Sequence, residues 1–292
     1  MLKIEVEATS ANICVGFDVL GLALDLKNTF TFTKASTTSF EGFKSEFSTK
    51  ETNLVYEAYK LVFDKAKEDI VDVKIGYKGD IPLSRGLGSS SSLIVAGIFA
   101  ANYFLNNKYT KDELFLFATE LEGHPDNVAP AIYGGLVASY KNIDGYHPIK
   151  YETSSDLKFT VLIPPYEVST KMARNVLPNS LEYKDIVWNL SRIVNIPYAF
   201  KNGDISLLKD LFNDKLHEPY RKELIKDYDR VYHILKDKEC AMAISGSGSC
   251  MLVVSKDLSF IKDLENLDLK IKTLNVGVGV SLEEIWKITS IT

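Results

Sequence analysis

The chain has few of the residues that build disulfide or metal frameworks. Among its 292 residues there are three cysteines and four histidines. The cysteines, Cys14, Cys240 and Cys250, are far apart and form neither a C-x-x-C pair nor a zinc-binding pattern. Sparse, unpatterned thiols are typical of a reducing compartment, so we expect a cytoplasmic location.

The sequence also shows no pattern typical of a signal peptide, of a membrane-spanning helix or of a strongly basic protein. The first ten residues, MLKIEVEATS, carry charges where a signal peptide needs an apolar core. The apolar run after Ser92 is interrupted by Asn102 and is too short to cross a bilayer. The net charge of −5 differs from that of proteins that coat nucleic acid. We therefore expect neither a membrane nor a nucleic-acid partner.

What is present is an ordinary globular composition, 46% hydrophobic and 25% charged, with room for two modest domains. Strands are predicted where polar and apolar residues alternate or apolar residues cluster, at 3–7, 29–33, 71–77, 136–140, 158–163, 240–244 and 251–254. Helices are predicted after Ser92 and over 53–68, 110–122, 125–133, 181–200 and 220–236. The end of the chain is predicted to form one more helix followed by two strands. The irregular alternation favours an α+β fold. The polar, turn-rich segment 142–156 predicts a boundary between domains 1–150 and 151–292.

The most informative segment is IPLSRGLGSSSSLIVAGIFAANYFL, residues 81–105. Gly86 and Gly88 allow the backbone to approach a ligand and to adopt positive φ. Four serines and an apolar helix follow, and a helix N-terminus with its hydroxyls and dipole suits an anion. The pattern is neither a Walker A loop, since Ser89 stands where a lysine is needed, nor a Rossmann turn, since Ser91 replaces the third glycine. By itself it supports a phosphate loop and a plain helix N-cap equally.

Two polar turns could face such a loop. Residues 9–12, TSAN, and 16–18, GFD, follow the first strand, although alone they are more typical of an ordinary turn. Glu120 and Glu122 precede the turn GHPDN at residues 123–127. A carboxylate there could bind Mg²⁺, and the density of polar groups at a helix start favours a functional site over a surface histidine.

Two further segments carry arginine or a second glycine turn. Arg174 and Arg221 are suited to hold a carboxylate or phosphate, although each alone is more typical of a solvated helix face. Residues 245–249, SGSGS, are equally consistent with a second phosphate-facing loop and with a hairpin turn.

Taken together and in this order, the segments resemble the GHMP small-molecule kinases, which are named for galactokinase, homoserine kinase, mevalonate kinase and phosphomevalonate kinase. The family loop P-x-x-x-G-L-G-S-S-A-A compares with PLSRGLGSSSS at 82–92, where two serines replace the alanines. The other matching segments are TSANICVGFDVLGLAL at 9–24, EGHPDNVAPAIYGG at 122–135, STKMARNVLP at 169–178 and SGSGS at 245–249. Cys14 and Val15 depart from the commoner Leu-Gly-Pro-Gly form of the first motif. The resemblance spans nearly the whole chain and is greatest to members that phosphorylate homoserine.

This resemblance implies a GHMP kinase fold, with an N-terminal domain like the second domain of ribosomal protein S5 and a ferredoxin-like C-terminal domain. It also implies ATP as cofactor, Mg²⁺ beside it, and a homodimer. The implied nucleotide-binding residues are Asn53, Pro82, Arg85, Gly86, Leu87, Gly88, Ser89, Ser90, Ser91 and Ser92. Ser90 and Glu122 would meet the metal, with Glu120 as the alternative carboxylate.

For the acceptor, the resemblance implies L-homoserine, phosphorylated on its side-chain hydroxyl for threonine biosynthesis. Asn12, Asp18 and His124 would hold the ammonium group, and Arg174 and Arg221 the carboxylate. Asn127 would position the hydroxyl for direct in-line transfer, and Asp126 and Thr170 would line the same pocket. Asn127, Arg174 and Asp18 form the implied catalytic set, in which Asp18 could also be argued as a base.

Two alternatives stay open at this point. One is another kinase of the family, acting on mevalonate or a sugar. The other is a relative that kept the fold and senses a ligand without catalysis, although the glycines of the loop, Ser90 and Glu122 are all present. A zwitterion fits the mixed charges better than mevalonate or a sugar does.

Overall fold

A computed structural model describes residues 1–285 as strands and helices in two sheets. The strands are β1 Leu2–Ala11, β2 Leu20–Lys34, β3 Ser39–Glu41, β4 Val73–Gly79, β5 Leu136–Asn142, β6 Gly145–Tyr151, β7 Lys158–Ile163, β8 Cys240–Ile244, β9 Met251–Ser255, β10 Lys270–Leu274 and β11 Ser281–Glu284. The α-helices are α1 Leu54–Ala66, α2 Ser89–Phe104, α3 Lys111–Glu122, α4 Pro125–Tyr133, α5 Thr170–Asn175, α6 Tyr183–Ile193, α7 Ile196–Asn202, α8 Ile205–Leu211, α9 Glu218–Arg221 and α10 Tyr228–Leu235. Short 3₁₀ helices lie at Ser45–Phe47, Lys222–Leu224 and Ser259–Leu264. No described helix is long and apolar enough to cross a membrane.

The first sheet has the strand order β11-β1-β2-β4-β3, and the hairpin β5–β6 joins it through β2. Strand β2 is 15 residues long, so its first part pairs with β5 and its second part with β4. Helices α1 to α4 cover one face, where aromatic side chains such as Phe30, Tyr59 and Phe115 are fully buried. This packing fixes the starts of α2 and α4 beside the end of β1.

The second sheet has the order β10-β7-β9-β8 and is antiparallel throughout. One hydrophobic core joins it to the first sheet, in which Leu22 and Leu136 of the first sheet pack with Phe159 of the second and Phe200 of α7. Turn 245–249, between β8 and β9, is thereby brought against the glycine loop of α2. The backbone N–H of Gly246 donates to the carbonyl oxygen of Ala11 at 3.1 Å.

Most predicted elements are confirmed, and their caps explain why. Thr110 accepts a hydrogen bond from the backbone N–H of Glu113 while the Glu113 carboxylate accepts one in return, a complete capping box. Asn53 caps α1 by accepting from the N–H of Tyr56 at 3.1 Å. All seven predicted strands occur, and β1 and β2 extend well beyond the alternating stretches.

Four predictions about secondary structure are wrong in detail. The segment 142–156 is not all loop, because β6 lies within it and pairs with β5. The helix expected over 181–200 is interrupted after Val194, and α7 begins anew at Ile196 with a proline in its first turn, which lacks the donor an unbroken helix would need. The helix expected over 220–236 is α9, a 3₁₀ turn and α10, separated by the extended Ile225. The closing helix is the 3₁₀ helix at 259–264.

The domain division at residues 150 and 151 stays a prediction. The chain passes from β6 in the first sheet to β7 in the second, and later returns to the first sheet when β11 pairs with β1. Residues 286–292 of the predicted second domain lie outside the described residues.

Candidate active site

A cleft of about 360 Å³ lies where the end of β1, the starts of α2 and α4, helices α5 and α9 and turn 245–249 converge. All eight predicted acceptor-binding residues line it: Asn12, Asp18, His124, Asp126, Asn127, Thr170, Arg174 and Arg221. Six of the predicted nucleotide-binding residues line it as well: Asn53, Arg85, Gly86, Gly88, Ser89 and Ser90. Residues that are distant in sequence are thus gathered at one cleft of the size used for small ligands.

The glycine loop is held in a conformation that only glycine suits. Gly86 and Gly88 have φ of +75° and +66°. A Cβ on Gly86 would collide with the backbone oxygen of Ser245, and one on Gly88 with Oγ1 of Thr9. The loop is therefore packed tightly from behind, with its front left to the cleft.

The four serines at the start of α2 differ in their hydrogen-bond partners. Oγ of Ser90 and Oγ of Ser91 each donate to Oε1 of Glu122 at 2.7 Å. Oγ of Ser92 donates to the carbonyl of Ser89 and accepts from the amide of Asn28. Oγ of Ser89 is buried and finds no hydrogen-bond partner within residues 1–285. A buried, unpartnered hydroxyl at a helix N-terminus is the kind of group that a phosphate oxygen would satisfy.

The two candidate metal carboxylates are clearly separated. Glu122 contacts the serines of the loop and lines the cleft. Glu120 points elsewhere, since its carboxylate pairs with Nζ of Lys65 at 2.8 Å. The structure brings Glu122, and not Glu120, to the loop.

The remaining predicted loop residues support the site from behind. Leu87 is 1% exposed in the core, and its carbonyl accepts from the N–H of Thr9. Pro82, Ser91 and Ser92 likewise do not line the cleft. Asn53 lines it, but its side chain is occupied in capping α1 and in donating to the carbonyl of Phe47 at 2.7 Å. The guanidinium of Arg85 turns away toward the segment before α5.

The turn after β1 is backbone-strained. Asn12, Ile13, Cys14 and Asp18 all have positive φ, which is unusual for non-glycine residues. Asn12 maintains the turn, since Oδ1 accepts from the N–H of Asp18 and Nδ2 donates to the carbonyl of Gly246 at 2.9 Å. Asn12 therefore orients Asp18, and the second lone pair of its Oδ1 stays available to a ligand in the cleft.

Opposite charges face each other across the acceptor half of the cleft. Arg174 makes a bidentate pair with Asp18, with N–O distances of 3.0 and 2.9 Å. Arg221 is 3% exposed and donates to the carbonyls of Ala173 and Gly246. The two guanidinium groups lie over Phe17, at 5.8 and 5.0 Å from its ring centre. Such a paired, half-buried set presents both signs of charge to one small ligand.

His124 and Asp126 form a second pair at the start of α4. Burial lowers the pKa of His124, but the hydrogen bond and charge of Asp126, with Glu122 and Asp18 beyond, outweigh it and raise that pKa above its ordinary value. The ammonium-binding role of His124 stays a prediction, and its Nδ1 is already occupied by the contact with Asp126.

Asn127 lies between the two halves of the cleft. Its Oδ1 accepts from Oγ1 of Thr9 at 2.7 Å. A Cβ placed on Gly88 would approach the same oxygen at 3.3 Å, so the amide adjoins the glycine loop. The role predicted for Asn127, aligning a hydroxyl with a phosphate, stays a prediction.

Sequence reasoning assigned no role to Phe17, which lies beneath two arginines of the cleft, or to the lining residues Phe43 and Tyr77. Phe17 supports both arginines, and Phe43 and Tyr77 form a stacked pair, 4.9 Å between ring centres, at the end of the cleft near Asn53. A stacked aromatic pair suits a flat base. The position of Phe17 within the GFD turn could have indicated its role. No local sequence pattern indicates that Phe43 and Tyr77 contact each other.

A fully buried polar layer lies behind Phe17. His217 stacks on that ring and contacts the carbonyl of Cys14 through Nε2 at 2.6 Å. Oε1 of Glu218 accepts from the N–H of Ile244 at 2.6 Å. Burial, followed by the charge of Asp214, raises the pKa of Glu218 to about 8.

This raised pKa predicts a pH dependence of stability. Glu218 holds its proton in the folded protein up to about pH 8, whereas its ordinary pKa is 4.5. The free energy of unfolding should therefore fall as pH rises from about 5 to 8, by up to about 1.4 kcal/mol per pH unit. Glu218→Gln keeps the shape and cannot ionise, so we expect it to gain stability over the parent across that range. Urea denaturation of both proteins at pH 5, 6.5 and 8 measures the difference. Parallel profiles would show that Glu218 titrates normally.

Comparisons with known proteins identify the family of the chain. Residues 53–135 match the family model of the GHMP kinases N terminal domain, and residues 198–266 match that of the GHMP kinases C terminal domain. The chain therefore belongs to the GHMP kinase family, and it is a kinase. Both the predicted family and the predicted fold class are confirmed.

The particular resemblance within the family is equally plain. The chain is 39% identical to a homoserine kinase of Clostridium acetobutylicum, over 99% of this chain and 96% of that protein. It is 40% identical to a homoserine kinase of Clostridium beijerinckii, over 97% and 96%. A crystal structure of homoserine kinase from Cytophaga hutchinsonii superposes with a TM-score of 0.86 at 28% identity, covering 97% of each chain.

Proposed function

We propose that this enzyme transfers the γ-phosphoryl group of Mg·ATP to the side-chain hydroxyl of L-homoserine, giving O-phospho-L-homoserine and ADP. The observation that carries the proposal is the Asp18–Arg174 pair, with Arg221 beside it, in the same cleft as the glycine loop. The similarity to homoserine kinases along nearly the whole chain supports the same acceptor.

The charges match a zwitterion better than any singly charged acceptor. An amino acid can place its ammonium group on Asp18 and its carboxylate between Arg174 and Arg221, so that Asp18 and Arg174 each gain a partner of opposite charge. An acceptor with one charge leaves one half-buried member of the pair without a partner of opposite charge, and an uncharged acceptor does not compensate for separating the pair. Such unpaired groups give strong discrimination, because their desolvation is not compensated.

The nucleotide half suits a triphosphate. The loop from Gly86 to Ser89 offers positive-φ backbone and, at a helix N-terminus, a hydroxyl that has no hydrogen-bond partner among residues 1–285. Ser90 and Glu122 supply hard oxygen ligands, and Mg²⁺ commonly uses one or two carboxylates together with substrate phosphates. When bound there, Mg²⁺ would neutralise charge on the phosphates.

The transfer we propose is direct and in line. The hydroxyl oxygen forms a bond to the γ-phosphorus while the bond to the bridging oxygen of ADP breaks. Transfer of this kind depends on alignment and charge more than on a strong base. Asn127, between the loop and the acceptor pocket, orients the hydroxyl. Both carboxylate oxygens of Asp18 accept hydrogen bonds from Arg174, which favours acceptor binding for Asp18 over a role as base.

The test is ADP release with Mg·ATP and a panel of acceptors that vary one charge at a time. L-Homoserine is compared with 4-hydroxybutyrate, which lacks the ammonium group, and with 3-amino-1-propanol, which lacks the carboxylate. We expect kcat/KM for each truncated acceptor to be at least about 100-fold lower. Mevalonate, galactose and no acceptor complete the panel.

Turnover that prefers mevalonate or galactose would retain the kinase and overturn the acceptor assignment. No turnover with any acceptor, while ATP analogues still bind, would favour the ligand-sensing alternative. A role in threonine biosynthesis, a homodimer and a cytoplasmic location belong to the same proposal. The three buried, free cysteines are consistent with a reducing compartment.

A further inference from the structure

Arg85 is part of the glycine loop, and its guanidinium points toward the segment before α5. Nε donates to the carbonyl of Pro164 at 3.1 Å, and Nη2 donates to that of Pro165 at 3.0 Å. Nη1 donates to Leu83 within the loop and lies 3.7 Å from the carboxylate of Glu167. All three nitrogens are thus committed to protein groups, two of them on the segment that leads into α5.

Further bonds fasten the same two segments together. The N–H of Val168 donates to the carbonyl of Ser84 at 3.1 Å. Oγ of Ser249 donates to the carbonyl of Tyr166 at 2.6 Å, and the N–H of Cys250 donates to the carbonyl of Arg85 at 3.2 Å. The glycine loop, turn 245–249 and segment 164–168 are therefore one connected unit.

Helix α5 begins directly after this unit. Ser169 caps it by accepting from the N–H of Met172 at 3.2 Å. Thr170 and Arg174, both on α5, line the acceptor half of the cleft. The position of segment 164–168 consequently sets where these two side chains lie.

The backbone on both sides of Arg85 is conformationally special. Ser84 and Gly86 have φ of +52° and +75°. A phosphate held by the amides of the loop would fix this backbone, and with it the base of the Arg85 side chain. The rigid, planar guanidinium transmits that position to the carbonyls it holds, which a flexible single donor would not do.

We propose that Arg85 is a positioning residue that couples nucleotide at the glycine loop to the placement of Thr170 and Arg174, so that nucleotide and acceptor bind with positive cooperativity. The proposal rests on the proposed function, since it needs ATP at the loop and an amino acid beside α5. It assigns Arg85 no contact with either ligand.

The test is calorimetric titration with L-homoserine and with Mg·AMP-PNP, each alone and in the presence of the other at saturation. For the wild-type protein we expect each ligand to tighten the other by the same factor, at least about fivefold. Arg85→Gln should bring this factor close to one. Arg192→Gln is the matched control, because Arg192 also donates to a backbone carbonyl, that of Trp188, but lies on α6 outside the cleft. It should keep the wild-type factor.

A second variant guards against a folding defect. If thermal unfolding shows that Arg85→Gln is not folded, Glu167→Gln is used instead. This variant weakens the contact between the glycine loop and segment 164–168 while leaving Arg85 in place. It should lower the cooperativity factor by a smaller amount. The coupling role would be overturned if the wild-type protein showed no cooperativity. It would also be overturned if cooperativity were unchanged in the folded Arg85→Gln variant or in its substitute Glu167→Gln. Neither result would affect the proposed function. Failure of the wild-type protein to bind L-homoserine at all would instead remove the proposed acceptor, and the coupling with it.

Discussion

Arg174→Ala is expected to lower kcat/KM for L-homoserine by about 30- to 1,000-fold, roughly 2–4 kcal/mol. The acceptor's carboxylate loses a charged partner in a half-buried site. Asp18 also loses its bidentate hydrogen-bonding partner. Because the lost contact is made to the bound acceptor, most of the change should be in KM for L-homoserine, while KM for ATP stays near its original value.

Two comparisons make this prediction specific. Lys171→Ala removes a neighbouring positive charge from an exposed position on α5 that does not line the cleft, and should change kcat/KM by less than about twofold. With 3-amino-1-propanol, which has no carboxylate, Arg174→Ala should cost much less than it does with L-homoserine. An unchanged KM for L-homoserine would remove Arg174 from the acceptor pocket.

Most helices and strands could be predicted from the sequence because the capping residues and the spacing of apolar residues indicate the same element. The capping box at Thr110, the proline at the start of α4 and the alternating residues of β1 each specify their element without help from the rest of the chain. The failures lie where tertiary context decides. Residues 145–151 are polar and turn-rich, yet they form β6 because β5 presents an edge to pair with.

The candidate site was predictable as a set of residues but not as a set of contacts. Motif order identified Arg85 and Asn12, which line the cleft, together with Glu120, which does not. Only the structure shows that the guanidinium of Arg85 holds segment 164–167, that Asn12 orients Asp18, and that Glu120 pairs with Lys65. These distinctions depend on side-chain direction, which residue spacing does not encode for loops. The raised pKa of His124 has the same origin, since it depends on burial and on the approach of Asp126.

Glu122→Gln is expected to reduce turnover with Mg·ATP by about 100- to 1,000-fold. The substitution is chosen because the amide oxygen can still accept from Ser90 and Ser91, so it removes the negative charge and keeps the packing at the start of α2. The loss should appear as a higher Mg²⁺ concentration needed for half-maximal rate, with binding of L-homoserine preserved. Steady-state rates over a series of Mg²⁺ concentrations measure it.

Glu120→Gln provides the matched control for this result. It makes the same chemical change two residues away, on a carboxylate that pairs with Lys65 and does not reach the loop. Its turnover should stay within about twofold of the parent, since an exposed ion pair contributes little. If instead Glu120→Gln lost activity and Glu122→Gln kept the parent's Mg²⁺ dependence, the metal would have to be held from the far side of α3. The hydrogen bonds from Ser90 and Ser91 to Glu122 would then serve only to fasten α3 to the start of α2.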